Sequence, residues 1–376
     1  GTVESIENVA NKIKLEVDQG NEVAVVVSAM AGETNRLVGL IGEIVSVPDF
    51  KEYDTVISSG EQVTIGLLAL KLQTIGLKSR SWLGWQIPIK TDSSYGKARI
   101  QEIDCDSLVK YMEAGGVPVI AGFQGLGPED RVSTLGRGGS DTSAVALAVA
   151  LKANRCDIYT DVDGVYTADP RVVTKARKLQ KVTYEEMLEM ASLGTNVLQT
   201  RAVEMGMKYN QRIQVLSSFG DEIGTLVVGE GEIVEQEIVS GIAFSRDEAK
   251  VTLVRVSDKP GIAASIFGPL AEANVNVDMI VQNALPSGEG TDITFTVPQA
   301  DLTRTLGVLE VIRNDLGYEN LLSDADVVKI SVIGVGMRSH AGVAQTMFKA
   351  LAELGINIQV ISTSEIKVSV LIAEAY

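Results

Sequence analysis

Thr134-Leu-Gly-Arg-Gly-Gly-Ser-Asp-Thr142 runs directly into residues 140–152, an Ala/Leu/Val stretch of helical length. Gly136, Gly138 and Gly139 let the backbone turn sharply and come close to a ligand. Ser140, Asp141 or Thr142 can cap the helix, whose first amides and dipole favour an anion. Arg137 adds a planar fork suited to a carboxylate or phosphate. A loop whose Ser or Asp merely caps a helix is the plainer reading of the same residues. It is not a P-loop, because no GxxxxGK[ST] occurs and the Lys is missing.

Outward from this turn, strand-like and helix-period segments alternate. Val3, Ile6, Val9, Ile13 and Val17 predict an amphipathic helix, and residues 22–30 (EVAVVVSAM) a buried strand. Helices are expected over 33–44 and 60–75, and strands at SRSWL (79–83), VPVIAGF (117–123) and 156–160. Such alternation predicts an α/β fold, a mainly parallel sheet covered by helices on both faces. The acidic, Gly-rich DEIGTLVVGEGEIVEQE (221–237) reads as an edge hairpin leading into a linker. Beyond it the chain repeats itself. GIAASIFGPLAEANVNVDMI (261–280) aligns without a gap on GVAQTMFKALAELGINIQVI (342–361), coinciding at Glu272/Glu353 and Asn276/Asn357 as well as at apolar positions. Each copy follows a strand (251–256; 328–333) and leads into another (275–282; 356–362), so each is a β-loop-α-β unit.

At 376 residues the chain calls for two or three domains. The longest apolar runs fall short of the ~18 residues that span a bilayer, and the polar N-terminus does not read as a signal peptide. A net charge of −16 without a basic cluster argues against nucleic acid. Cys105 and Cys156 read as reduced thiols, and His340 is the one histidine. Zinc sites and Ser-His-Asp triads therefore lack raw material, and no metal-ligating set is assigned. The chemistry must run on carboxylates, lysines, arginines, backbone amides and a borrowed metal.

A second constellation is Thr160-Asp-Val-Asp-Gly-Val-Tyr-Thr-Ala-Asp-Pro-Arg171, just after a strand. Asp161, Asp163 and Asp169 crowd a strand's C-terminal end, where open α/β sheets place ligands. They could hold Mg²⁺ or a ribose, or form a solvated turn; an EF-hand fails for want of its Glu. Ser28-Ala-Met-Ala-Gly-Glu-Thr34 opens a helix after a buried strand. Glu61, in Ser59-Gly-Glu-Gln62, sits in a helix's first turn, where acids are common for dipole reasons alone.

Together VSAMAGETN, SSGEQ, GFQG, TLGRGGSDT, TDVDGVYTADPR and MASLG resemble the aspartate kinases of the amino-acid kinase superfamily. VSDKPGIAA, NVDMIVQN, VGMRSHAGVA and NIQVISTSEI resemble paired ACT modules of the Lys/Thr-regulated bacterial type. The match is colinear over essentially the whole chain. It implies a kinase domain over 1–230, a linker over 231–249, and ferredoxin-like ACT modules at 250–325 and 326–376. It also implies a strand and a Lys-Phe-Gly-Gly-Thr/Ser motif ahead of Gly1, and further elements of the second module beyond Tyr376. Residues lacking that strand are expected to have little kinase activity.

By resemblance, Asp141 and Arg137 are the catalytic pair. Arg137 would grip a carboxylate of L-aspartate, with Ser28, Ala29, Thr34, Phe123, Gly138, Gly139 and Ser140 shaping the pocket and Glu61 receiving the ammonium. Tyr159, Thr160, Asp161, Val165, Tyr166, Asp169, Pro170, Arg171 and Lys178 would contact ATP, with Mg²⁺. An aspartate β-carboxylate is ionised at neutral pH and needs no general base, so the scarcity of His and Cys favours a kinase over a hydrolase. Asp258, Gly261, Ile262, Ala263, Asn276, Val277, Asp278 and Gln282 would form an effector surface facing Val343, Ala344, Asn357, Ile358, Ser364 and Glu365. The family implies lysine and/or threonine as effectors, a cytoplasmic biosynthetic role, and at least a dimer through the ACT modules, with or without a shorter regulatory chain. A non-catalytic amino-acid sensor and an N-acetylglutamate kinase are the competing readings.

Overall fold

A computed structural model describes residues 2–193, 197–233, 237–284, 290–340 and 342–376. Contacts divide the chain into one unit of Gly1–Val165, Lys178–Ala191 and Asn196–Ile233, and another of Tyr166–Arg177, Ser192–Thr195 and Val234–Tyr376.

In the first unit, strands Val25–Val27, Val117–Ala121 and Ser79–Trp82 form a parallel sheet in that order. Successive side chains of a strand point to opposite faces. Val117, Val119 and Ala121 accordingly pack with Ala10, Ile13, Ile65, Leu68 and Leu72 of the helices Val3–Asp18 and Ser59–Thr74. Ile120 joins Trp82, Leu108 and Leu147 on the other side, under the helices Asp106–Glu113 and Gly139–Ala150. Burial on both faces is why VPVIA is continuously apolar rather than alternating. A second sheet has the order Cys156–Thr160, Ile213–Ser217, Thr225–Val228, Lys181–Thr183. The expected edge hairpin is corrected here: Thr225–Val228 is an interior strand, antiparallel to one neighbour and parallel to the other. A third sheet of four short strands (Ile100–Ile103, Ile89–Thr91, Gln124–Leu126, Val132–Thr134) was not foreseen.

The second unit holds one six-stranded sheet in the order Asp278–Ala284, Thr291–Val297, Gly241–Val256, Asn320–Ile333, Lys367–Ala373, Val360–Thr363. The predicted linker is corrected: from Gly241 onward it is strand. Its charged residues Arg246, Asp247, Glu248 and Lys250 obscured the alternation. Gly241–Ser245 pairs antiparallel with Lys329–Ile333, while Val251–Val254 pairs with Asn320–Ser323. Each long strand thus serves both modules. The second module's outer strand comes from residues ahead of the first module.

The repeat is visible in the backbone. Helices Ile262–Glu272 and Val343–Glu353 start after Gly261 and Gly342, both left-handed at φ 92° and 105°. Left-handed Asn274 and Gly355 follow the helices, at φ 55° and 71°. Val275 and Ile356 then donate their N–H groups to Leu270 and Leu351 carbonyls, each at 2.9 Å.

Candidate active site

The Gly-rich turn lies where loops leaving the parallel sheet converge. The Gly122 N–H donates to the Val27 carbonyl at 3.0 Å, joining the ends of two strands. Phe123, left-handed at φ 67°, donates its N–H to Ser143 Oγ at 3.0 Å and accepts from the Leu135 N–H at 2.9 Å. Gly139 has no room for a side chain: a Cβ there would stand 2.9 Å from both Leu135 and Phe123. Gly138 is needed for conformation as well as space, since it sits at φ 68° and a Cβ would collide with Gln199.

The cap differs from expectation. Gly138 is the N-cap and makes no side-chain bond, which places Ser140, Asp141 and Thr142 inside the helix rather than ahead of it. The first turn is left open, with amides able to take an anion. The helix beginning at Glu33 is likewise preceded by left-handed Gly32 with no side-chain cap. Asp141 is half-buried, and its loss of water contact pushes its carboxyl up; it accepts a long 3.4 Å bond from the Gln199 N–H. Arg137 is exposed, and no ion pair engages it among the described residues.

Glu61 is 2% exposed in the first turn of the Ser59–Thr74 helix. Its Oε1 accepts the Ala29 N–H at 3.0 Å, while Oε2 has no hydrogen-bond partner among the described residues. Burial pushes its carboxyl up to about 7. Gly60 allows this approach, because a Cβ would lie 2.8 Å from Ala29 Cβ. A buried carboxylate with an unused oxygen is costly unless a cation completes it. The reading of Glu61 as a plain dipole residue therefore does not account for its position.

Two charged residues escaped the sequence reading. Asp54, fully buried on the helix Phe50–Ile57, accepts from Thr134 N–H, Thr134 Oγ1 and Gly96 N–H at 2.8, 2.7 and 2.9 Å. Burial pushes its carboxyl up against these bonds. Its only sequence signal is an acid sharing a helical stripe with buried Ile57. Arg201 donates to the Leu135 and Ala98 carbonyls at 2.6 and 2.9 Å, and burial holds its guanidinium below the usual range. Nothing in TRAVEMG announces it.

The predicted nucleotide set is divided. Tyr159, Thr160, Asp161, Val165 and Lys178 belong to the first unit, whereas Tyr166, Asp169, Pro170 and Arg171 group with the second. Thr160 ends a strand and its Oγ1 donates to Asp161 at 3.2 Å. Val165 is buried, its N–H bonded to Thr225 Oγ1 at 2.8 Å. Lys178 is shared between Asp163 and Glu222, each at 3.1 Å. The Arg171 guanidinium at 2.8 Å holds the Asp169 carboxyl below its usual range.

Of the effector candidates, Ile262, Ala263, Val343 and Ala344 begin the two repeat helices directly after Gly261 and Gly342. Ile358 lines a cavity of about 290 Å³ with Val281, Asn283, Thr294 and Val360. Ser364 and Glu365 lie in the turn before Lys367 and do not line it; Glu365 pairs with Arg338 at 3.4 Å. Asp258, Asn276 and Val277 lie in loops, and Gln282 in the strand Asp278–Ala284. Asp278 is already engaged by buried Lys329, at 2.8 Å, which also meets Glu248 at 2.5 Å. Burial raises the Asp278 carboxyl, but Lys329 outweighs it and leaves the group below its usual range. Both cysteines are free thiols. Among the described residues no helix is long and apolar enough to cross a membrane.

Residues 1–217 match the amino acid kinase family, and residues 250–315 and 330–376 each match the ACT domain. An aspartate kinase of Stutzerimonas stutzeri is 55% identical over 100% of this chain and 91% of its own length. An aspartokinase of Pseudomonas aeruginosa is 55% identical over 100% and 92%. The crystal structure of E. coli aspartokinase III in complex with aspartate and ADP superposes with a TM-score of 0.81 at 24% identity, covering 98% of this chain and 93% of that one, and so shares its fold. With an amino acid kinase match over more than half of the chain and aspartate kinase relatives 55% identical over its full length, the chain belongs to the aspartate kinases of the amino acid kinase family.

Proposed function

We propose that this protein transfers the γ-phosphate of ATP to the β-carboxylate of L-aspartate, giving 4-phospho-L-aspartate for lysine, threonine, methionine and diaminopimelate synthesis. The observation that carries the substrate assignment is Glu61, buried with Oε2 unpartnered beside the loop that follows Val27. An α-ammonium group there would complete it. Arg137, exposed and with no ion pair among the described residues, stands at the head of an open helix N-terminus and suits a substrate carboxylate; Ser28, Thr34, Phe123 and Ser140 would shape the pocket.

The attacking carboxylate is already ionised, so the protein's task is to align two anions and neutralise charge on the transferring phosphoryl group. Arg137 and the amides from Ser140 onward supply positive potential. Asp141, inside the same turn, would organise the transfer centre. Thr160 and Asp161 would meet the nucleotide at a strand's C-terminal end. Among the described residues no group of three or more His, Cys, Asp or Glu could hold a metal. Asp161 would be the first carboxylate to meet Mg²⁺ carried by the nucleotide. When bound, Mg²⁺ would withdraw charge from the phosphates.

The kinase domain would end near residue 230, with the second ACT module drawing its outer strand from Gly241–Ser245. Lysine and/or threonine would bind the ACT half, with Asp258 and Asn276 facing the effector. The protein would act in the cytoplasm as at least a dimer. A hydroxamate assay on the full-length protein with aspartate and MgATP, with and without lysine plus threonine, tests this reading. Aspartyl hydroxamate that falls with the effectors supports it; no hydroxamate refutes it.

A further inference from the structure

We infer that Asp54 and Arg201 are positioning residues for phosphoryl transfer, clamping the base of the Gly-rich turn from two sides so that Arg137 is held in place. The inference rests on the reading of Arg137 as the substrate carboxylate's partner. Both charged side chains are committed to the same two segments. Asp54 Oδ1 takes the Thr134 hydroxyl, and Oδ2 takes the N–H groups of Thr134 and Gly96. Arg201, from the helix Thr200–Tyr209, takes the carbonyls of Leu135 through Nη1 and Ala98 through Nη2. Between them the Ala98 N–H donates to the Thr134 carbonyl at 2.9 Å. The bonded groups of Thr134 and Leu135 lie two or three residues before Arg137, in the stretch that sets its direction.

An acid and a base spent on backbone groups are an expensive way to hold a loop. Apolar packing would hold it more cheaply but would leave those amides and carbonyls unsatisfied. Charge-assisted bonds are stronger and more directional than neutral ones, and they suit a loop whose side chain must not wander. The turn is closed on the helix side by the Gly139 N–H donating to Gly136 O at 2.9 Å, and Gly136 itself is left-handed at φ 82°. A displaced turn would misplace Arg137 without touching the nucleotide strand.

Steady-state kinetics of the full-length enzyme, titrating aspartate and ATP separately, tests the clamp. Asp54→Asn removes the charge and leaves one acceptor oxygen where the carboxylate offers two to three donors. It should raise the aspartate KM by about tenfold or more, while the ATP KM stays within about twofold and thermal unfolding stays cooperative. Arg201→Lys should raise the aspartate KM by about threefold. Equal shifts in both KM values, or a folded Asp54→Asn enzyme with the parent's aspartate KM, would overturn the proposal. Should Asp54→Asn not fold, Thr134→Val and Thr134→Ser decide: the first should weaken aspartate alone and the second restore it, and identical values refute the clamp. Arg137→Ala separates the two ideas. If it leaves the aspartate KM unchanged, the site reading fails and the clamp with it; if it abolishes aspartate use while Asp54→Asn does not weaken it, only the clamp fails.

Discussion

In the kinase unit Glu61 is buried with one oxygen unpartnered among the described residues, whereas in the ACT unit the buried ammonium of Lys329 is held by two carboxylates, Glu248 and Asp278. Both sites bury a charge, yet they ask different things of their surroundings. The lysine is satisfied within the chain and serves to join strands. The glutamate is left wanting a cation, which marks a place for a ligand. Within the ACT unit a finer contrast repeats this. Asp278 and Gln359 are equivalent in the aligned repeats. Lys329 bonds Asp278, and Lys250 bonds Gln359, with Asp324 no nearer than 4.0 Å. The second bond is therefore ion to amide where the first is ion to ion.

The largest effect should come from Arg137→Ala, which removes the proposed partner of a substrate carboxylate. We expect kcat/KM for aspartate to fall about a thousandfold, near 4 kcal/mol, in the hydroxamate assay. A loss under tenfold would break the assignment of Arg137. Glu61→Gln should cost aspartate about a hundredfold, since an amide oxygen can accept from an ammonium but supplies no negative charge to pair with it.

Glu61 also carries a pH signature. Its folded value of about 7 lies above the ordinary 4.5, so the native chain holds the proton more tightly than the unfolded chain between these values. Stability should therefore decline as pH rises through that window, by on the order of 3 kcal/mol, and the decline should be absent in Glu61→Gln. Bound ammonium favours the ionised form, so aspartate affinity should rise over the same window and level off above it. Titration calorimetry showing a flat profile would sink the ammonium role.

In the ACT unit, Lys329→Met leaves Glu248 buried and unpaired. It should lower stability by about 3 kcal/mol, read as an earlier thermal or urea transition. Lys250→Met, at the equivalent contact with Gln359, should cost under about 1 kcal/mol. Equal costs would erase the contrast between the two lysines. Lys329→Met also frees Asp278, so tighter lysine binding in that variant would make Asp278 an effector residue, and unchanged binding would remove it from the set.

The residues foretold the parallel sheet because VPVIA is buried on both faces and VVV is partly covered on both, so each is apolar throughout. The repeat was legible because Gly261 and Gly342 meet the same left-handed demand. The Gly-rich turn was legible for the same reason at Gly136 and Gly138, although its cap was misassigned to Ser140, Asp141 or Thr142. Gly241–Val256 was mistaken for linker in its first half because Arg246, Asp247, Glu248 and Lys250 mask a strand whose partners lie far along the chain.

What the sequence determined by itself was local: backbone freedom at glycines, faces set by side-chain period, and the types of charge available near the Gly-rich turn. Only the tertiary structure decided which charges are spent. Asp54, Glu61 and Asp141 all look like acids near helix starts or stripes, yet one accepts three bonds, one keeps an oxygen free, and one holds a single long contact. Those differences depend on donors up to 80 residues away. Burial, which makes an unpaired charge costly, exists only once distant segments have closed around it.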